Sequence, residues 1–158
     1  YRELQMGGTI GVMSSIYEPF GAAVEFLVSA TLVVARKTGG LKDQLDLTTS
    51  VLYREVYNYN LENLKSFFGS TNSLRERMNN PWFAEMSQEL FQALNYAVYL
   101  YRENSDQYHK MLKNGLVKAS QFDWRKTAAG YFDVYTCANK DYYEIISENI
   151  NRGNFKYF

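Results

Sequence analysis

With 158 residues, 46% of them hydrophobic, the chain has material for one domain with its own core and is too apolar for a disordered segment. Its 17 basic and 17 acidic side chains cancel, which excludes a broad electrostatic footprint for nucleic acid or an anionic membrane, so any phosphate site must be local. The longest apolar run, residues 21–35, is interrupted by Glu25 and falls short of the roughly 20 residues that a membrane-spanning helix needs.

In chain order, Arg2 to Gly8 precedes the first strand as a helix or loop. The β-prone run Thr9 to Met13 follows and breaks at Ser14-Ser15, and Pro19 and Gly21 then punctuate a turn from Tyr17 to Gly21. An apolar helix is predicted over Ala22 to Ala30, then a β-branched strand over Thr31 to Val34, then a basic, glycine-bearing turn from Arg36 to Leu41. Strand, helix, strand in this order is a βαβ unit with parallel strands. Both turns then fall at the carboxyl edge of the sheet, where open α/β folds bind ligands, and the helix after Gly21 starts there with unpaired amides suited to a phosphate.

Lys42 to Leu47 can start a short helix, and Val51 to Glu55 reads as a third strand. Asn60 can cap a helix from Leu61 to Phe68, and a polar, helical insert from Ser73 to Asn80 ends at the boundary Asn79-Asn80-Pro81. Met86, Leu90, Phe91, Leu94, Ala97, Val98 and Tyr101 form an amphipathic stripe, which Tyr108, Met111, Leu112, Leu116 and Ala119 continue in a following helix despite Asn114-Gly115. Asp123 sits at an N-cap position, with Trp124, Ala128, Tyr131 and Tyr135 on one face of the next helix, and Asp141 to Phe158 can form another.

Ser14-Ser15-x-Tyr17-Glu18-Pro19-Phe20-Gly21, a helix, and then Val33-Val34-x-Arg36-x-Thr38-Gly39-Gly40-Leu41-x-Asp43 resemble the carboxyl-terminal nucleotide-sugar domain of glycogen and starch synthases. The similarity returns at Leu94-x-x-Ala97-x-x-Leu100-Tyr101 and at Phe122-Asp123-Trp124, Ala128-Ala129 and Tyr131, and is weak between Thr48 and Phe83. The resemblance implies a retaining glucosyltransferase of the GT-B fold that moves glucose from ADP-glucose or UDP-glucose to an α-1,4-glucan. The fold class it implies is α/β: the latter half of a GT-B Rossmann-like domain with parallel strands, followed by a helical carboxyl-terminal region. In domain terms, residues 1–140 are expected to be part of the nucleotide-sugar domain, strand-rich over 9–56 and helical over 60–140, with 141–158 a tail. The acceptor domain and the family's Arg and Lys for the donor phosphates are expected outside this chain, which alone is expected to be inactive.

By resemblance, Glu18 matches the glutamate that positions the donor sugar through its hydroxyls. The resemblance also makes Gly21 and Ala22 the candidates for amides on the diphosphate and Thr38, Gly39 and Gly40 for the wall of the donor pocket, and Arg36 matches a common family arginine expected to bind the donor. The wider superfamily has a second glutamate where this chain has Phe26, and Glu25, one position short, points roughly 100° away on a helix. Read from the residues alone, the three glycines are turn formers, Glu18 is a solvated carboxylate and Arg36 a solvated strand-end charge. A non-catalytic nucleotide-sugar or subunit-interaction module, or a GT-B enzyme with another acceptor, therefore stays open as an alternative.

His109 reads as solvated and Cys137 as a packed small hydrophobe, and no metal-ligand cluster is visible, so no metal and no cofactor are expected. One cysteine forms no internal disulfide; with no N-x-S/T sequon, a soluble, cytoplasmic protein without membrane or nucleic-acid partners is expected. Most of the 14 Tyr and 10 Phe residues are assigned to packing, with Tyr53, Tyr57 and Tyr59 the one cluster suited to a glucan surface.

Overall fold

Three short strands, β1 (Ile10–Met13), β2 (Leu32–Arg36) and β3 (Ser50–Tyr53), form a parallel sheet in the order β1-β2-β3 in the computed structural model, which describes residues 3, 7–19, 21–55, 74–79 and 81–151. Register places Val12 beside Val34 and Arg36 beside Tyr53, so the β-branched runs are adjacent in space as well as in sequence. The parallel α/β sheet followed by a helical region is the architecture that the β-branched runs and helical stripes imply.

Every residue of β2 is buried, as a central parallel strand covered on both faces requires. Leu32 and Val34, with Val51 and Tyr53 of β3, face Ala93, Ala97 and Leu100 of α4 (Pro81–Glu103) and Tyr108 and Met111 of α5 (Ser105–Ala119). Val33 and Ala35 face the other way. They pack with Met13, with Ala23 and Leu27 of α1 (Ala22–Val28), with Leu41 of α2 (Leu41–Gln44), and with Leu45 and Ala119. A short helix, α3 (Leu74–Met78), precedes α4.

α1 ends two residues earlier than its apolar run suggests, at Val28. Ala30 takes a left-handed conformation, φ 51°, and the chain closes with Ala30 N–H to Leu27 O (3.1 Å) and Thr31 N–H to Phe26 O (3.0 Å). That is a Schellman C-cap in which alanine occupies the site glycine usually fills. The tight reversal feeds the chain straight into β2.

α5 runs along the amino-terminal edge of the sheet. Tyr108 Oη donates to Thr9 O before β1 (2.9 Å), Asn114 Nδ2 to Thr48 O before β3 (3.0 Å), and Lys118 Nζ pairs with Asp46 (2.6 Å). Gly115 lies buried under Leu27, whose Cδ2 stands 3.1 Å from where a side chain would begin, so the glycine inside the helix is a close-packing position.

The buried seams of α4 and α5 are rotated from the predicted stripes. Ala93 and Leu100 are core residues, while Phe91, Val98, Tyr101 and Leu116 are exposed. Residues 1–120 form one compact unit and residues 121–158 a second. In the second, α6 (Trp124–Asn151) is continuous where the sequence suggested a new helix from Asp141. Asp123 caps it as expected, accepting from Arg125 N–H at 2.9 Å, and those bonds hold its carboxyl below the usual range. Tyr131 and Tyr135 stack on its surface at 6.1 Å, and Cys137 is exposed, not packed as expected. Among the described residues no helix is long and apolar enough to cross a membrane. The predicted helix Leu61 to Phe68 lies outside the described residues.

Candidate functional site

β1 and β2 run parallel, so the chain leaving Met13 and the chain leaving Arg36 emerge at the same carboxyl edge. The turn from Ser14 to Gly21 there meets the turn from Lys37 to Gly40, and backbone bonding joins them. Gly40 N–H donates to Glu18 O at 2.7 Å, and Thr38 Oγ1 donates to Ile16 O at 3.0 Å. All six positions from 18 to 40 singled out in the sequence beside Arg36 thus lie on these two turns or at the first residue of α1.

The glycines are required by this contact. Gly39 has φ 47°, and a side chain starting there would stand 2.5 Å from Glu18 O; one starting at Gly40 would run into Pro19 O. No Cβ fits between two backbones this close, so Gly39 and Gly40 let the turns touch each other. The Glu18 side chain is half-buried and its Oε2 lies 3.5 Å from Ser15 Oγ, within its own turn.

One expectation is corrected. The Gly21 amide, anticipated as an open donor at the start of α1, is already engaged: it donates to Gln44 Oε1 at 3.1 Å, and Gly21 itself has φ 119°. Gln44 is fully buried, and its Nε2 donates to Gly40 O at 3.1 Å. Its carboxamide therefore satisfies one backbone group on each turn, which is how a polar side chain can sit in the core without penalty. Ala22 opens α1 as expected.

Arg36, Tyr53 and Thr38 are all buried. Arg36 is 4% exposed, with its guanidinium over the Tyr53 ring at 5.8 Å from the centroid, so it is no solvated strand-end charge. Tyr53 is correspondingly buried, and burial pushes its phenol up, opposed by the Arg36 charge. It offers no ring to a glucan, and Tyr57 and Tyr59 lie outside the described residues. Thr38 is also fully buried, its hydroxyl turned to the neighbouring turn.

Phe26 is half-buried and packs against the core, its ring over Gly11, while Glu25 is exposed on α1. Glu18 is then the carboxylate that the two joined turns hold at this edge. No group of His, Cys, Asp and Glu suited to a metal occurs among the described residues. Gln44 went unnoticed in the sequence because nothing local marks it. Its spacing of four from Gly40 gives one of its bonds, but the partner at Gly21 lies 23 residues away.

No family model matches the chain. It is 30% identical over 130 residues to a glycogen synthase of Desulfitobacterium hafniense, an alignment that covers 82% of this chain and 23% of that protein. It is 29% identical over 135 residues to a glycogen synthase of Oceanobacillus iheyensis, covering 85% of this chain and 23% of that one. The chain thus spans about a quarter of the length of the curated relatives it matches. The similarity supports a glycogen synthase-like, glycosyltransferase-like segment.

Proposed function

We propose that this chain supplies the donor-side turns of a retaining, glycogen synthase-like GT-B glucosyltransferase, which transfers glucose from ADP-glucose or UDP-glucose to an α-1,4-glucan. The observation that carries the proposal is the joining of the Glu18 and Gly40 turns at the carboxyl edge of a parallel sheet, where ligands of open α/β folds bind. In this reading Glu18 accepts hydrogen bonds from the sugar hydroxyls and fixes the anomeric carbon for transfer. The diphosphate lies against Ala22 and the Thr38–Gly40 turn. Arg36, held against Tyr53, acts from behind that turn as a fixed positive charge. Gly21 serves through its backbone shape, since its amide is engaged internally.

The test is turnover of the intact protein with each nucleotide-glucose and glycogen. Glu18→Ala is expected to lower kcat/KM for the donor on the order of 100-fold, the scale of lost positioning, and Glu25→Ala to leave it within about twofold. Equal losses would refute the placement of the donor sugar at Glu18.

A further inference from the structure

We propose that Gln44 is a positioning residue for Glu18, acting through the backbone of both turns. The inference rests on the donor-site reading above and adds to it a residue with no contact to substrate. Its physical basis is a closed circuit of short bonds. Gln44 Oε1 receives the Gly21 amide, three residues after Glu18; Gln44 Nε2 holds Gly40 O; and the Gly40 amide holds Glu18 O at 2.7 Å. Glu18 is therefore fixed on one side through its own carbonyl and on the other through the peptide of Gly21, and both constraints lead back to one carboxamide.

Local propensity does not impose this geometry. Gly21, at φ 119°, has open space around it and could take many conformations; its carbonyl is held by the Val24 amide of α1 (3.1 Å), and the Gln44 bond fixes its amide side, the one that leads back to Glu18. Gln44 belongs to a helix of only four residues, and it is fully buried. Its amide has no water to turn to. Losing it would leave the half-buried Gly21 amide without its partner, while Gly40 O keeps the Asp43 and Gln44 amides as donors, so the Glu18 turn loses its tie to the Gly40 turn and shifts to hydrate the Gly21 amide. The carboxylate at Glu18 moves with its backbone, and a displacement of about 1 Å at a positioning group is enough for a loss on the order of 100-fold.

A double-mutant cycle in the intact protein separates positioning from general support. Gln44→Met keeps the volume and removes both bonds. It is expected to lower kcat/KM for the nucleotide-glucose 10- to 100-fold with the KM for glucan unchanged, and to add nothing further in the Glu18→Ala background, because it acts through that carboxylate. Hydrogen exchange at the Gly21 amide is expected to speed up in the same variant while the β2 amides stay protected. Losses that multiply in the double variant would overturn the proposal, as would an unchanged donor kcat/KM in Gln44→Met alongside a large loss in Glu18→Ala; that second result leaves the donor-site reading standing. A Glu18→Ala variant with full activity sinks the donor-site reading itself, and this inference with it. Should Gln44→Met not fold, Gln44→Asn takes its place in the cycle, since it keeps the amide but is one methylene too short to span both turns.

Discussion

The two edges of the sheet are built in opposite ways. At the carboxyl edge two turns touch backbone to backbone, with glycines where any Cβ would collide and a buried amide satisfying both; the bonds that join the turns run between uncharged groups. At the amino edge a whole helix, α5, lies across the strand starts and reaches them with long side chains, one of them charged. Side chains spanning a gap tolerate replacement, because neighbours and water can take over part of their work. Backbones in contact do not, because nothing can be inserted. The edge with no freedom is the one to which the donor-side proposal assigns the sugar, and a positioning site needs that rigidity.

Gly40→Ala breaks the carboxyl edge most directly. Its φ of −65° suits alanine, so the cost is steric, the collision of the new methyl with the Pro19 carbonyl and, less closely, Glu18 O. The turns are expected to separate, with a loss of roughly 2–4 kcal/mol of stability and on the order of 100-fold in donor turnover. Denaturant unfolding and initial rates on the intact protein check both. A neutral Gly40→Ala would mean that the contact between the turns is dispensable.

At the amino edge, Tyr108→Phe removes one hydrogen bond and leaves Thr9 O needing another partner. Burial, with a smaller contribution from Tyr101, pushes the Tyr108 phenol up, so it stays a hydroxyl donor through the physiological range. Stability is expected to fall by about 1 kcal/mol and donor kinetics to stay unchanged. A donor KM that moved with Tyr108→Phe would show that the edges are coupled through β1, and the contrast between them would fail.

The sequence made these regions legible to different depths. The βαβ unit was readable because β-branched runs and a glycine turn have local causes, and so was the Asp123 cap. The helical seams were readable only approximately. Large apolar residues drew the predicted α4 stripe toward Phe91, Val98 and Tyr101, but the helix approaches the sheet through Ala93 and Ala97, where small side chains allow close packing. At the site, Gly39 and Gly40 were visible and their purpose was not, since the backbone each of the two faces lies more than 20 residues earlier in the chain. Gln44 was wholly hidden, because a glutamine on a short helix looks the same whether it is solvated or clamping two loops.

A weaker effect is the pH response of one ion pair at the amino edge, Asp46 with Lys118. Burial alone would raise the Asp46 carboxyl, but hydrogen bonds from Lys118 and from the Thr48 hydroxyl and amide outweigh it and hold the group at about 2. Its unfolded value is about 3.9, so the folded pKa is depressed and the folded state binds the proton less well. The stabilisation is therefore complete above about pH 5, declines as pH falls through 4 and is gone below about 2. Because the Asp46 side chain is 44% exposed, solvent screening keeps the contribution below about 1 kcal/mol. Unfolding curves between pH 2 and 5 should lose part of their slope in Asp46→Asn and in Lys118→Met, and added salt should flatten the wild-type slope in the same window. Among the described residues the joined turns of the carboxyl edge are linked by uncharged groups, so exchange protection at Gly21 should not follow this titration. If protection at Gly21 fell in step with protonation of Asp46, α5 would be transmitting strain across the sheet, and the two edges would have to be treated as one mechanical unit.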